Sequence, residues 1–299
     1  MEKEPKNEKP KDMATALDCA IRDYENKEGG FEIGNAKYFN YMSNEAWNEF
    51  YRNINPEHKR QYGTGAGGEL KAGQYPPKMA SFGSSSRLIY ELSKDVKGFI
   101  FEERLDTRVG GIANLDGLLR RCNEYIYVEA KRREIYGASH ERQEIKSIYV
   151  PVYEKLKSSQ FSYNLEDIEV TAKQEETKKI TLYVNGEPVK YFDLKQLICH
   201  FLGITYDIAK HSVKNAKVTF LYLLYNPNEV EDKIDEKYRK KVVDRYKVVE
   251  NFVRDNISVF KSIFDAVLQY QTKTHKLEKP NIDFDFKLVD QKDYINKLI

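Results

Sequence analysis

The run Tyr125-Ile126-Tyr127-Val128-Glu129-Ala130-Lys131 admits few folds. Its aromatic and β-branched residues favour a strand, in which alternate side chains point to opposite faces. Ile126, Val128 and Ala130 then share one face, and Glu129 and Lys131 share the other. An acid and an ammonium within an apolar strand are costly unless they are paired or bind a metal, so this strand should end where something compensates them. A preceding strand-like run, Ile112 to Arg120, carries Asp116 as the natural third member. Carboxylate oxygens suit Mg2+, which takes its remaining ligands from water and a substrate phosphate. A lysine beside that cation can help deprotonate or orient an attacking water and offset charge developing on a phosphorane. Two carboxylates and a lysine so placed are the parts needed to cleave a phosphodiester.

The chain around this triplet is globular in character. Its 299 residues can bury a real core in one large domain or two small ones, and 13% of them are aromatic. A formal charge of +2 neither predicts nor excludes a polyanionic partner, because patches matter more than totals. Cys19, Cys122 and Cys199 are odd in number and lack a C-x-x-C, so no disulfide framework or zinc knuckle is indicated and a reducing, cytoplasmic setting is expected. No apolar stretch reaches membrane-spanning length, and Met1 to Lys6 lacks the apolar segment of a signal peptide, so a soluble, unexported protein is expected.

Residues 1–12 are charged and aperiodic and read as a disordered tail. Helical patterns follow at Ala14–Tyr24 and Asn44–Ile54, the second with Trp47, Phe50 and Tyr51 at helical spacing. Gly63, Gly65 and Gly68 satisfy G-x-G-x-x-G, but no buried strand precedes them, so the dinucleotide-binding context fails and the segment reads as a loop. Ser84-Ser85-Ser86 caps a helix to about Leu92. Strands at Gly98–Leu105, Ile112–Arg120 and Tyr125–Arg132 form an antiparallel meander, with turns at Gly110-Gly111 and Cys122-Asn123. A helix around Arg142–Leu156, a hairpin turning at Asn185-Gly186, a helix at Leu194–Ala209 and a buried strand at Lys217–Tyr225 follow. The apolar stripe from Val230 to about Tyr270 reads as one long helix, a core element or dimer seam. The expected architecture is a single α/β (α+β) domain over residues 13–299, a small mixed sheet flanked by helices with extra N- and C-terminal helices.

The order helix, strand, strand with Asp116, strand with Glu129-x-Lys131, then helix resembles the PD-(D/E)XK nuclease superfamily, the restriction-endonuclease-like fold. It departs from the named motif in that Leu115, not proline, precedes the aspartate. The chain also resembles a bacterial family of restriction endonucleases in several ordered blocks. These are Gly67-Gly68-Glu69-Leu70, Ser84 to Leu88, Phe101-Glu102, Ala113 to Asp116, Val128 to Lys131, Gln196 to Gly203 and Phe220 to Tyr225, so the catalytic core would span about residues 67–225.

The resemblance implies metal ligation by Asp116 and Glu129 and a water-positioning or activating role for Lys131. Glu102, in the strand before Asp116, sits where this fold often supplies another acid, and Glu103 points the other way; Glu69 and Glu91 are further candidates to complete the metal site. Gln196 and His200, four apart on one helix face, would lie over the site, the glutamine orienting the lysine, a water or a DNA phosphate. Arg120, Arg121, Arg132 and Arg133 are candidates for phosphate contact. The implied function is a Mg2+-dependent DNA endonuclease of restriction type, with Mn2+ as a substitute. The alternatives are a repair or mobile-element nuclease on branched or single-stranded DNA, and a catalytically silent DNA-binding protein of the same fold. A homodimer is expected only because symmetric duplex cleavage usually needs two sites. A cysteine hydrolase built from Cys199 and His211 lacks a nucleophile-elbow signal and is set aside.

Overall fold

The computed structural model describes residues 10–34, 36–64, 68–70, 76–137, 139–167, 177–211 and 213–298. In chain order the elements are α1 (Met13–Glu25), the hairpin β1 (Gly29–Ile33) and β2 (Ala36–Met42), α2 (Asn44–Asn53), α3 (Pro56–Thr64) and α4 (Ser85–Ser93). The meander β3 (Phe99–Asp106), β4 (Ile112–Arg121) and β5 (Glu124–Lys131) follows, then β6 (Gln143–Lys146), α5 (Val150–Leu156), β7 (Phe161–Asp167), β8 (Thr177–Val184) and β9 (Glu187–Pro188). The chain closes with α6 (Leu194–Lys210), β10 (Asn215–Leu224), α7 (Glu236–Asp255), α8 (Ile257–His275), β11 (Asn281–Val289) and α9 (Tyr294–Leu298). The fold is mixed α/β.

The main sheet has the order β11-β10-β5-β4-β3, with β3, β4 and β5 antiparallel and β5, β10 and β11 parallel. Val218 to Leu224 of β10 are buried without interruption, and because alternate residues point to opposite faces, both faces of the sheet are covered. Helices α6 and α8 pack on each other, α6 against β3 and β4 and α8 against β11, joined by a run of ring contacts through Phe201, Phe220, Phe264 and Phe284. Gly203 of α6 approaches so closely that an added Cβ would lie 2.8 Å from those of Leu105 and Ala113. Strands β6 to β9 form a second antiparallel sheet between β5 and α6, anchored by α5 on α8. No helix among the described residues is long and apolar enough to cross a membrane.

Several elements differ from the sequence reading. The expected helix at Arg142–Leu156 is strand β6 followed by α5; Pro151 fits only a first helical turn, so no helix can run through it from upstream. The single helix over residues 230–270 is two, α7 and α8, separated at Asn256. There the Asn256 amide donates to Phe252 O at 2.8 Å and its carbonyl accepts from Asn185 at 2.9 Å. A side chain that offers the backbone such an alternative stops a helix without interrupting its apolar stripe. The main sheet takes in a further strand after the two long helices: β11, an alternating run at Ile282, Phe284, Phe286 and Leu288, pairs with β10. The first segment around Gly63 belongs to α3, whereas Gly65 and Gly67 lie outside the described residues, as do residues 1–9 of the expected tail. Asp12 is already the N-cap of α1, accepting from Thr15 N at 2.7 Å.

Helix α1 is tied to the end of β5 by a buried ionic cluster. Asp18, fully buried, accepts from Arg133 and Asn40, each at 2.9 Å. Gly83 packs so tightly on it that any Cβ would strike the Asp18 carboxylate. Burial pushes the Asp18 carboxyl up to about 6, despite the opposing pull of Arg133. A carboxyl raised above its unfolded value stabilises the fold in its protonated form, and that contribution is lost as pH rises from about 4 to 6. Relative to Asp18→Asn, which cannot titrate, the wild-type protein should therefore lose about 3 kcal/mol across that interval. Denaturant melts of both proteins from pH 4 to 7 check this; parallel stability curves would contradict it.

Candidate active site

Strand β4 separates from β5 at Asp116. The ladder between them runs from Arg121–Glu124 to Gly117–Val128 and ends there. The next main-chain donor on β5, the Ala130 N–H, goes instead to Asp116 Oδ2 at 2.7 Å. Strand β10 meanwhile stays paired with β5 through Leu224–Lys131, so β5 is held in the sheet while β4 leaves it. On the other side of β4, the register with β3 is kept at Phe101–Gly117 and Glu103–Leu115, but Glu102, opposite Asp116, has a left-handed φ of 54°. That conformation costs a residue with a Cβ about 1–2 kcal/mol. Such strain clusters where function requires a particular side-chain placement.

The opening is a cleft of about 630 Å³ lined by Glu69, Glu102, Asp116, Glu129, Lys131 and Gln196, with Ser84, Ser85 and Ser86 from the start of α4. Glu129 is the most firmly held of these acids. Lys131 Nζ donates to its Oε1 at 2.6 Å, and His200 Nε2 stands 3.1 Å from its Oε2, off the line of a hydrogen bond. Burial works against the Glu129 charge, but Lys131 and His200 outweigh it and hold the carboxyl down at about 2. Burial opposes the Lys131 charge as well, yet Glu129 keeps the ammonium protonated well above its ordinary range. Lys131 also donates to Gln196 Oε1 at 2.8 Å, so two of its three N–H groups are engaged and one is left. Gln196 is fixed in turn by the first turn of α6, whose N-cap Asp193 accepts from the Gln196 N–H at 2.8 Å.

The other two acids carry the opposite bias. Burial, followed by the charge of Glu69, pushes Glu102 up to about 7, against a hydrogen bond from Ser86 at 3.2 Å. Asp116 lies deep in the cleft yet partly open to it; burial, then Glu129 and Glu102, raise its carboxyl well above the usual range. Glu69 is 4% exposed, with Oε1 on Lys78 at 3.0 Å and Oε2 without a hydrogen-bond partner among the described residues. Five carboxyl groups, Glu134 included, thus face Lys78, Lys131 and Arg133, an excess of acids that a divalent cation would relieve.

Among the described residues no three acidic, histidine or cysteine side chains are already gathered into a coordination shell. The donor set still fits Mg2+, which keeps several waters and needs only one or two carboxylates from the protein. Asp116, Glu102 and, once released from Lys131, Glu129 are the oxygens that could hold it.

The structure thus brings Glu102, Asp116, Glu129, Lys131, Gln196 and His200 to one place. Glu69 joins them, while Gly67 of the same block lies outside the described residues. Glu91 does not reach the cleft; it binds Lys27 at 3.2 Å and Arg87 at 3.7 Å. Glu103 is committed to Arg120 at 3.1 Å, which also reaches Asp207. Arg132 is 3% exposed and bonded to Glu25 at 3.0 Å, a structural tie rather than a phosphate contact. Arg133 does line the cleft. Burial raises the Cys199 thiol to about 11, and His211 is twelve residues away on α6, about 18 Å, so no cysteine–histidine pair forms. Sequence reasoning missed Lys78 and Glu134. Glu134 closes the far wall by accepting from the Arg132 and Arg133 N–H groups at 2.8 and 3.0 Å. Its position three residues beyond Lys131 was the available signal.

Comparison with protein families, with curated proteins and with solved structures finds no match to the chain.

Glu102 combines a strained backbone with a disfavoured buried charge, so its removal should not harm the fold. Glu102→Gly is expected to raise the thermal unfolding midpoint at pH 8, by about 2–4 °C for each kcal/mol recovered. A lowered midpoint in scanning calorimetry would show that the conformation is stabilising instead.

Proposed function

We propose that this protein is a Mg2+-dependent nuclease of the PD-(D/E)XK type that hydrolyses phosphodiester bonds in DNA, as a restriction-type endonuclease. The observation that carries the reading is the convergence of Glu102, Asp116, Glu129 and Lys131 on one cleft at the point where β4 parts from β5. The topology supports it: a helix, an antiparallel three-stranded meander, a helix packed on its first two strands, and then a strand parallel to its third.

The chemistry follows from the charges. A bound Mg2+ would supply Lewis-acid polarisation of the phosphate and a more acidic water. The Lys131 ammonium, held charged by Glu129, offsets negative charge as it develops on the phosphorane, because a charge fixed in advance costs no reorganisation. It is a donor rather than a base while that ion pair lasts. Gln196 limits its motion from the α6 side. His200 holds the far side of Glu129, so that the carboxylate faces the cleft with its charge intact. Among the cleft's cationic groups, Arg133 and Lys78 are placed to meet a flanking phosphate.

Incubation with supercoiled plasmid and Mg2+ should give nicked or linear DNA. Asp116→Ala and Lys131→Ala should each slow the reaction about a hundredfold or more, and EDTA should stop it. Equal cleavage by all three proteins would sink the assignment.

A further inference from the structure

Beside the cleft lies a second cavity of about 510 Å³, within the size range of pockets that bind small organic groups. It is walled by the start of β4, by β6 and α5, and by α6. The two cavities share Asn114 and Gln196, so one opens beside the other. Their partition is made in part by His200, whose Nε2 approaches Glu129 in the first while the residue lines the second.

Three features of this cavity call for an occupant. Two residues of its wall each carry a polar atom that is shut off from the cavity and has no hydrogen-bond partner among the described residues, Asn114 Oδ1 and His200 Nδ1. Buried polar groups are nearly always satisfied, so a turn of the half-buried Asn114 amide toward a ligand with its own polar edge would complete its oxygen. The remaining wall is largely apolar and aromatic, with Ile145, Ile198, Tyr149 and Tyr153. Ile112, which lines the cavity, is 44% exposed, and Ile148, next in chain to Tyr149, is 52% exposed, both large apolar groups left in water.

A flat group with apolar faces and a polar edge, attached to a chain that runs through the neighbouring cleft, meets all three. We infer that this cavity receives an unstacked nucleobase of the substrate strand next to the scissile phosphate. The inference rests on the nuclease reading and narrows its substrate class to DNA in which a base near the cut is unpaired or easily extruded. Asn114 Oδ1 would accept from an exocyclic amino group, and the ring would lie against Tyr149 and Ile112. The charged groups of the wall balance, Lys146 and Lys195 against Glu144 and Asp193, so recognition there would fall on the base rather than on its phosphate. Unstacking costs least where pairing is already broken, so mismatched DNA should bind better than matched DNA of the same sequence.

The test is fluorescence anisotropy with the full-length protein, Ca2+ replacing Mg2+, and two labelled duplexes that differ only in one central mismatch. Wild-type protein should prefer the mismatched duplex about tenfold or more. Ile112→Trp, a change at an exposed position that fills the cavity mouth, should abolish the preference, so that the two duplexes bind alike. Asn114→Leu, of similar volume, should reduce it. Equal affinity of the wild-type protein for both duplexes, or a preference that survives both substitutions, overturns the inference. If plasmid cleavage that depends on Asp116 accompanies that result, the pocket assignment alone has failed. If the protein binds neither duplex and cuts no plasmid, the nuclease reading has failed with it.

Discussion

The bond from the Ala130 N–H to Asp116 Oδ2 determines most of what is distinctive here. In a regular sheet that donor would meet a main-chain carbonyl of β4. A carboxyl oxygen in its place makes a hydrogen bond worth about 0.5–1.5 kcal/mol, enough to satisfy a buried donor without keeping the strands together. β4 is then free to part from β5, and the sheet acquires a cleft whose floor is built from strand residues. Because β10 and β11 continue the sheet on the far side of β5, the opening does not cost the core its continuity. Sites mounted on such elements are held more tightly than sites on loops.

The electrostatics of the cleft follow from that geometry. Glu129 is clamped between a lysine and a histidine and keeps its charge, whereas Glu102 and Asp116 are crowded by like charges and resist theirs. Carboxyl groups a few ångströms apart, pushed in opposite directions by burial and neighbours, mark a site adapted to something other than stability. The left-handed backbone of Glu102 points the same way.

How much of this was legible in the sequence depended on how local the physical cause was. The meander and its acids could be read from two-residue alternation between residues 98 and 132, and the cap at Ser84 and the turn at Asn185-Gly186 were set by short-range chemistry. Gln196 and His200 were placed on one face by helical spacing alone. The break at Asn256 could not be read, because the apolar stripe runs through it and its cause is a contact with Asn185, 71 residues away in sequence. Strand β6 was hidden for a related reason: four residues are too few for periodicity to distinguish from a helical turn. Strand β11 is legible in the alternation of Ile282, Phe284, Phe286 and Leu288, beyond the apolar stripe of the two long helices. No sequence rule would have put Glu102 into left-handed backbone, a conformation rare for any residue with a Cβ.

The central claim is that the carboxylates at the parting of β4 and β5 form a divalent cation site. Electron paramagnetic resonance of Mn2+ titrated into the full-length protein tests it without any assumption about the substrate. Bound Mn2+ should be detected with the wild-type protein, lost with Asp116→Asn, and retained with Glu91→Gln, whose carboxylate lies outside the cleft. Binding that is absent in the wild-type protein, or unchanged by Asp116→Asn, would contradict the account.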